Sequence, residues 1–117
     1  MLMLLPFNAE IFLYPKPIDF RKQIDGIVEI VADTLDMNPT SGQIFIFRNK
    51  LADKLKILYW DRNGFWLLYR RLEQGKFIIP QDGVAMSLTL DQFNWLLTGL
   101  NIEDYMPIKS SKYGIFY

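Results

Sequence analysis

Apolar residues recur with two different periods in the first third of the chain. Four consecutive apolar residues, Ile11–Tyr14, precede two prolines and predict a short strand. From Phe20 to Leu35 the apolar positions are three or four residues apart, which predicts one long helix with Asp19 as its N-cap. Gly26 lies inside this helix. Glycine there costs up to about 1 kcal/mol, so we expect it to mark close packing.

The middle of the chain alternates apolar and polar residues between turn sequences, which predicts an antiparallel β meander of four to five strands. The strongest turn signal is Asp61-Arg-Asn-Gly64. It fits either a type I turn closed by a glycine bulge or a two-residue type I′ loop, and both predict a positive φ at Gly64. The predicted strands cover residues 43–48, 54–60, 65–72 and 76–79, with a fifth at 84–88.

The last predicted element is a short helix with clear end signals. Thr89 and Gln92 form a capping-box sequence, and Gly99 is a typical stop. We expect the apolar end of the tail, residues 113–117, to dock on the domain or on a partner.

Together these patterns predict a single α+β domain over residues 1–117, with a family-like core at about 11–100 and a tail at 101–117. The antiparallel meander packs on the long helix, and the short C-terminal helix packs at an edge. The core shared by the long helix and the meander is expected to contain Ile24, Ile27, Val28, Val31, Leu55, Ile57, Leu67 and Phe77.

Composition removes several classes of chemistry. The chain has no cysteine and no histidine, which excludes disulfides, thiolate zinc sites and catalysis by His or Cys. It also lacks a phosphate-binding loop, a dinucleotide-binding glycine motif and a nucleophile elbow. We therefore predict no enzymatic activity, no catalytic residues, no cofactor, no metal and no small-molecule substrate. No apolar stretch approaches the ~20 residues of a membrane span, so we expect no membrane partner and a cytoplasmic location.

Charge is balanced overall, with 13 basic and 13 acidic side chains, but it is unevenly distributed. Between Arg48 and Lys76 there are eight basic and three acidic residues, and the rest of the chain carries the opposite excess. Aromatic residues are interleaved with the basic ones, a combination that can neutralise phosphates and stack on bases. Alternatively, the aromatic residues fill the core and the basic residues form its solvated surface. The candidate DNA or partner contacts are Arg48, Lys50, Lys54, Lys56, Trp60, Arg62, Trp66, Arg70 and Arg71.

The predicted long helix carries the opposite charge. Asp25, Glu29 and Asp33 are four residues apart and would line one helix face, where like charges repel by roughly a few tenths of a kcal/mol per pair. A basic partner could offset this repulsion, and so could the basic meander of the same chain. The three residues form a candidate acidic docking stripe.

Four sequence blocks resemble one known family. Pro17-Ile-Asp-Phe-Arg-Lys-Gln-Ile-Asp-Gly26 is similar to the family pattern Pro-x-Asp-Met-Arg-Lys-x-x-Asp-Gly, with Phe20 in place of Met. The other blocks are Asn38–Phe47, Asp53–Phe65 and Tyr69–Phe77. The family is that of TnpB-type accessory proteins, the second-reading-frame products of insertion-sequence family sixty-six. The chain departs from it in a less basic loop at Asn49–Asp53 and in Ile79, where Trp is usual.

The resemblance implies a non-catalytic accessory protein that acts in transposition beside a separate, larger transposase of a bacterial mobile element. The leading hypothesis is an interaction module that docks on the transposase or on another protein of the element. The alternative is direct DNA binding by the basic meander. Convergence of the basic side chains on one exposed surface would favour DNA binding, and a mixed surface would favour the interaction module.

Overall fold

A computed structural model describes residues 8–79 and 86–99 of the chain. In this part a mixed sheet of five strands has the order β4-β3-β2-β1-β5. The strands are β1 (Ile11–Pro17), β2 (Ile44–Arg48), β3 (Lys54–Asp61), β4 (Gly64–Arg71) and β5 (Met86–Leu88). The helical segments are α1 (Ile24–Glu29), a π-helical turn directly after it (Ile30–Thr34), and α2 (Leu90–Thr98). The predicted docking of residues 113–117 lies outside the described residues.

The prediction of an antiparallel meander is wrong, because β1 lies inside the sheet and runs parallel to β2. The other neighbouring strands are antiparallel. Parallel neighbours need a long crossover connection, and the helical segment between β1 and β2 provides it. Turn signals between consecutive strands do not reveal such a pairing.

The predicted strand over residues 76–79 is also absent from the sheet. This stretch instead carries Phe77, whose backbone N–H donates to the Ala52 carbonyl and whose side chain is buried. Phe77 is therefore a buried anchor residue in a stretch that does not pair as a strand.

The single long helix predicted from Phe20 to Leu35 is wrong in the same region of the chain. Asp19 does not cap a helix: its Oδ1 accepts from the Arg21 backbone N–H, and its carbonyl accepts from the Lys22 N–H. These bonds form a turn, so α1 begins at Ile24 without a side-chain cap. After Glu29 the helix widens into the π turn, where the Leu35 N–H donates to the Ile30 carbonyl.

The helices cover both sides of the sheet, so there are two cores rather than one. The side under α1, called the α1 side, buries Ile27, Val31, Phe45, Phe47 and Leu58. The opposite α2 side buries Ile11, Leu13, Ile44, Ile46, Leu55, Ile57, Phe77, Phe93 and Leu96. The predicted shared core is confirmed for Ile27, Val28, Val31 and Leu67, which pack on the α1 side. It is wrong for Leu55, Ile57 and Phe77, which pack on the α2 side, away from α1. The run Ile44–Phe47 is buried throughout, as expected of a strand covered on both sides.

The local predictions for α2 are confirmed. Thr89 and Gln92 form a reciprocal capping box, and Gly99 ends the helix with φ 75°. At the β3–β4 hairpin the expected positive φ is found at Arg62 (59°) and not at Gly64, so the prediction for Gly64 is wrong. Asp61 pairs with Gly64, which makes Arg62 and Asn63 a two-residue loop.

Candidate functional site

The nine predicted contact residues are divided between the two sides of the sheet. Strand register places Arg48 and Arg70 opposite Leu55, and therefore on the α2 side. Lys54 and Arg71 are cross-strand neighbours on the α1 side. Lys50 is exposed in the β2–β3 loop, and Arg62 is exposed at the hairpin tip. The structure therefore groups Lys54, Lys56 and Arg71 on the α1 side and Arg48 with Arg70 on the α2 side, and the basic side chains do not converge on one surface.

Two of these arginines join elements within the molecule. Arg48 Nε donates to the Pro15 carbonyl at 2.8 Å, where the register between β1 and β2 shifts. Arg70 Nε donates at 2.8 Å to the Leu97 carbonyl near the end of α2, where a cation is favourable for the helix dipole. Both guanidinium groups therefore have a structural role.

Three other candidates pair with acidic side chains nearby in sequence. Arg71 binds Glu73 at 2.9 Å, Arg62 lies 3.2 Å from Asp61, and Lys54 lies 3.7 Å from Asp53. The bond with Glu73 raises the pKa of Arg71. Hydrogen bonding by the Asn49 side chain lowers the pKa of Asp53. Because the carboxylates neutralise their neighbours, the positive excess of this region is weaker at the surface than the sequence suggests.

The two candidate tryptophans have different environments. Trp60 is half-buried and makes an edge-to-face contact with Phe65, with ring centroids 4.9 Å apart. Trp66 lies on the α2 side of the edge strand β4, and 43% of its surface is exposed. Of the two, Trp66 presents the larger free ring.

Lys56 is the least expected of the predicted contacts, because it is buried on the α1 side with 6% of its surface exposed. Its Nζ donates to the Phe20 carbonyl at 2.9 Å and to the Lys22 carbonyl at 2.8 Å. The same nitrogen lies 4.9 Å from the centre of the Phe20 ring. Burial lowers the pKa of Lys56.

Lys56 forms part of a cleft between the turn before α1 and the outer strands of the sheet. We call it the Lys56 cleft; its lining includes Phe20, Arg21, Gln23, Lys54, Lys56 and Tyr69. Tyr69 pairs with Lys56 across the β3–β4 ladder, and its ring lies 6.5 Å from that of Phe20. Sequence analysis missed Phe20, Arg21, Gln23 and Tyr69 as site residues. Only a correct β3–β4 register could have placed Tyr69 beside Lys56.

The acidic docking stripe is exposed at all three positions. Asp25 and Glu29 belong to α1, whereas Asp33 belongs to the π turn. In the described residues, no three acidic side chains come close enough together to hold a metal ion. Within the same ranges, no helix has the length and apolar character needed to cross a membrane.

Comparison with known proteins agrees with the resemblance seen in the sequence. The chain is 40% identical over 96 residues to the uncharacterized protein y4jC of Sinorhizobium fredii, covering 80% of this chain and 81% of y4jC. It is 28% identical over 95 residues to the uncharacterized protein y4hO of the same species, covering 80% and 83%. No solved structure matches the chain. Residues 9–107 match the family described as IS66 Orf2 like protein. The predicted family is thus confirmed, and the chain belongs to the IS66 Orf2 like proteins, a family of insertion-sequence accessory proteins.

Proposed function

We propose that the chain is a non-catalytic interaction module for the transposase encoded by the same insertion sequence. One observation carries the proposal: β4 is an edge strand that presents aromatic residues on both of its sides. Trp66 is 43% exposed on the α2 side, and Tyr69 is 53% exposed on the α1 side. Large aromatic residues are enriched at the centres of protein interfaces.

The edge itself supports docking. In the described ranges no strand pairs with the outer edge of β4, so its backbone can accept a strand from a partner. The strand is eight residues long and ends in two arginines, Arg70 and Arg71. Arg70 binds a neutral carbonyl and keeps its positive charge, which would orient an incoming segment with an acidic terminus or flank.

Direct DNA binding is the weaker alternative. Phosphate binding is strongest where several exposed cations follow one surface. Here Arg48 and Arg70 are on one side of the sheet and Lys54 and Arg71 on the other. Several of these groups already bind carbonyls or carboxylates of the same chain. This distribution favours a protein partner.

Co-purification with the transposase of the same element tests the proposal. We expect the tagged wild-type chain to retain the transposase. Trp66→Ala should weaken the interaction by about tenfold, as expected for an aromatic residue at an interface centre. Trp95→Ala is the matched control, because Trp95 is 40% exposed but lies on α2 and not on the edge strand.

Two results would contradict the proposal. One is the failure of the wild-type chain to retain the transposase, with or without the element's terminal DNA. The other is tight, salt-dependent binding of the isolated chain to that DNA with no affinity for the transposase. The second result would establish the DNA-binding alternative.

A further inference from the structure

The Lys56 cleft contains a buried positive charge that forms no ion pair in the described part of the chain, because Asp19, the carboxylate that also lines the cleft, is paired with Arg21. Among the described residues, no carboxylate lies within salt-bridge distance of Lys56 Nζ. The other basic side chains of the cleft differ in this respect: Arg21 binds Asp19 at 2.6 Å, and Lys54 lies 3.7 Å from Asp53. A buried charge is costly unless it is paired. A negative group that enters the cleft would therefore be attracted to Lys56 and could form the missing ion pair.

The ammonium group of Lys56 also uses only part of its hydrogen-bonding capacity. An ammonium group has three N–H donors. Two of them bind the carbonyls of Phe20 and Lys22, and no further acceptor for Nζ is found in the described residues. Lys56 also lines the cleft. The lowered pKa of Lys56 is consistent with a charge held in place without a counter-ion.

The walls of the cleft limit what can enter. Phe20 and Tyr69 supply two aromatic rings tilted at 53° to each other, and Gln23 supplies an amide. These groups suit a short side chain whose methylene groups contact rings while its charged end reaches Nζ. A DNA backbone would instead need several free cations along one path, and here Arg21 is already paired with Asp19 at 2.6 Å.

We propose that the Lys56 cleft binds one Asp or Glu side chain of the transposase encoded by the same element. This inference rests on the proposed function and identifies the chemistry that the partner presents. The partner carboxylate accepts a hydrogen bond from Lys56 Nζ, and its neighbouring residues contact Tyr69 and Phe20. Lys54 lies at the same cleft and attracts the acidic segment.

Overlapping peptides that span the transposase provide the probe. Fluorescently labelled wild-type chain should bind a small number of peptides that contain Asp or Glu. Replacing the acidic residue of such a peptide with its amide should weaken binding by about tenfold or more, because a buried charge loses its partner. Equal binding of the acidic and amide peptides overturns the inference.

Variants of the chain separate the cleft from the edge strand. Lys56→Met removes the charge but also two contacts that hold the turn, so Lys54→Glu and Tyr69→Ala are the main variants. Each should weaken peptide binding by about tenfold, and Tyr69→Phe should retain it. Thermal unfolding of every variant shows whether it is folded. Unchanged binding by folded Lys54→Glu and Tyr69→Ala overturns the inference.

The two proposals can fail separately. If the wild-type chain retains the transposase and only Trp66→Ala weakens this retention, the interaction module is supported and the carboxylate site in the cleft is overturned. If the transposase is never retained, both proposals fall. A single-stranded oligonucleotide from the element's end serves as a second probe. Loss of its binding in Lys54→Glu and Tyr69→Ala, with peptide binding unchanged, would make the cleft a nucleic-acid site.

Discussion

The two helical segments that cover the sheet, α1 with its π turn and α2, are similar in length but are stabilised at their ends in different ways. α2 has a capping box at its start, a left-handed glycine at its end, and a hydrogen bond from Arg70 to the Leu97 carbonyl in its last turn. α1 has no side-chain cap and passes after six residues into a π turn. Its position depends on Lys56, which reaches from β3 to the carbonyls of the turn before it. The ends of α2 are thus bound by adjacent residues, and the turn before α1 is bound by a residue 34 to 36 positions away.

The largest expected effects come from removing core side chains on each side. Phe47→Ala on the α1 side should lower the free energy of unfolding by about 3–5 kcal/mol, and Ile46→Ala on the α2 side by about 2–5 kcal/mol. Both side chains are fully buried. Urea denaturation followed by tryptophan fluorescence measures the loss.

Amide hydrogen exchange in the same two variants tests the difference between the sides. We expect Phe47→Ala to release the amides of α1 by local opening, because that helix depends on tertiary contacts. The capped α2 should keep more of its protection in Ile46→Ala. Equal loss of protection in the two helices would contradict the comparison.

Lys56→Met should lower the free energy of unfolding by about 1–3 kcal/mol, because two carbonyls lose their donor. Relief of the buried charge offsets part of this loss. Lys54→Met is the matched control, with an expected effect within about 0.5 kcal/mol, since that residue forms a partly exposed ion pair. Amide exchange of residues 20–24 should quicken in Lys56→Met alone. A stable variant with unchanged exchange would show that Lys56 does not position α1.

Each of the two helices contains or is followed by a glycine whose replacement should have a different effect on stability. Gly99 has φ 75°, and an added Cβ would lie 2.7 Å from Leu72 Cδ1, so Gly99→Ala should cost about 1–2 kcal/mol. Gly26 lies inside α1, where an added Cβ would meet the exposed Lys22 side chain at 3.2 Å. The close packing predicted at Gly26 is therefore a contact with Lys22 Cβ and Cγ, which lie next to the backbone and have little freedom to move.

Gly26→Ala should cost less than Gly99→Ala, because the higher helix propensity of alanine, up to about 1 kcal/mol, offsets part of the cost of the contact with Lys22. Thermal unfolding of both variants checks the pair. A loss of thermal stability in Gly26→Ala as large as that in Gly99→Ala would mean that Lys22 cannot move aside. That result would make the turn before α1 as rigid as the end of α2.

The same contrast explains which parts of the fold could be predicted from the sequence. The capping box and stop glycine of α2 lie next to the residues they serve, so local patterns were sufficient. The start of α1 depends on Lys56, and the parallel pairing of β1 with β2 depends on a crossover. Neither leaves a local pattern. The uninterrupted apolar run Ile44–Phe47 was a sign in the sequence that both sides of the sheet are covered.

The candidate site was predictable to a smaller degree, because residue type does not show exposure. Lys56 was grouped with surface cations, although it is buried. Tyr69 was not singled out, because its position beside Lys56 depends on the hairpin loop. Either turn predicted from Asp61-Arg-Asn-Gly64 would move β4 by one or two residues relative to β3. The actual loop, with Arg62 in a left-handed conformation, sets the register that builds the cleft.

The smallest expected effect concerns the turn that replaces the predicted start of the helix. The Arg21 side chain, together with its backbone N–H, lowers the pKa of Asp19 to about 2. A carboxyl with a lowered pKa stabilises the folded state above its ordinary value of 3.8, and this stabilisation is lost as the pH falls through about 2. The effect on global stability is small because both side chains are exposed.

Carboxyl carbon chemical shifts followed against pH give the direct measurement. Arg21→Gln should raise the pKa of Asp19 part of the way to 3.8, because the backbone bond remains when the guanidinium is lost. Arg71→Gln, which changes a separate ion pair with Glu73, should leave the titration of Asp19 unchanged. If Asp19 instead capped a helix, its carboxylate would bind amides beyond Arg21, and the pKa would stay low without the guanidinium. An unchanged pKa in Arg21→Gln would therefore restore the earlier helix start and remove the structural difference between α1 and α2.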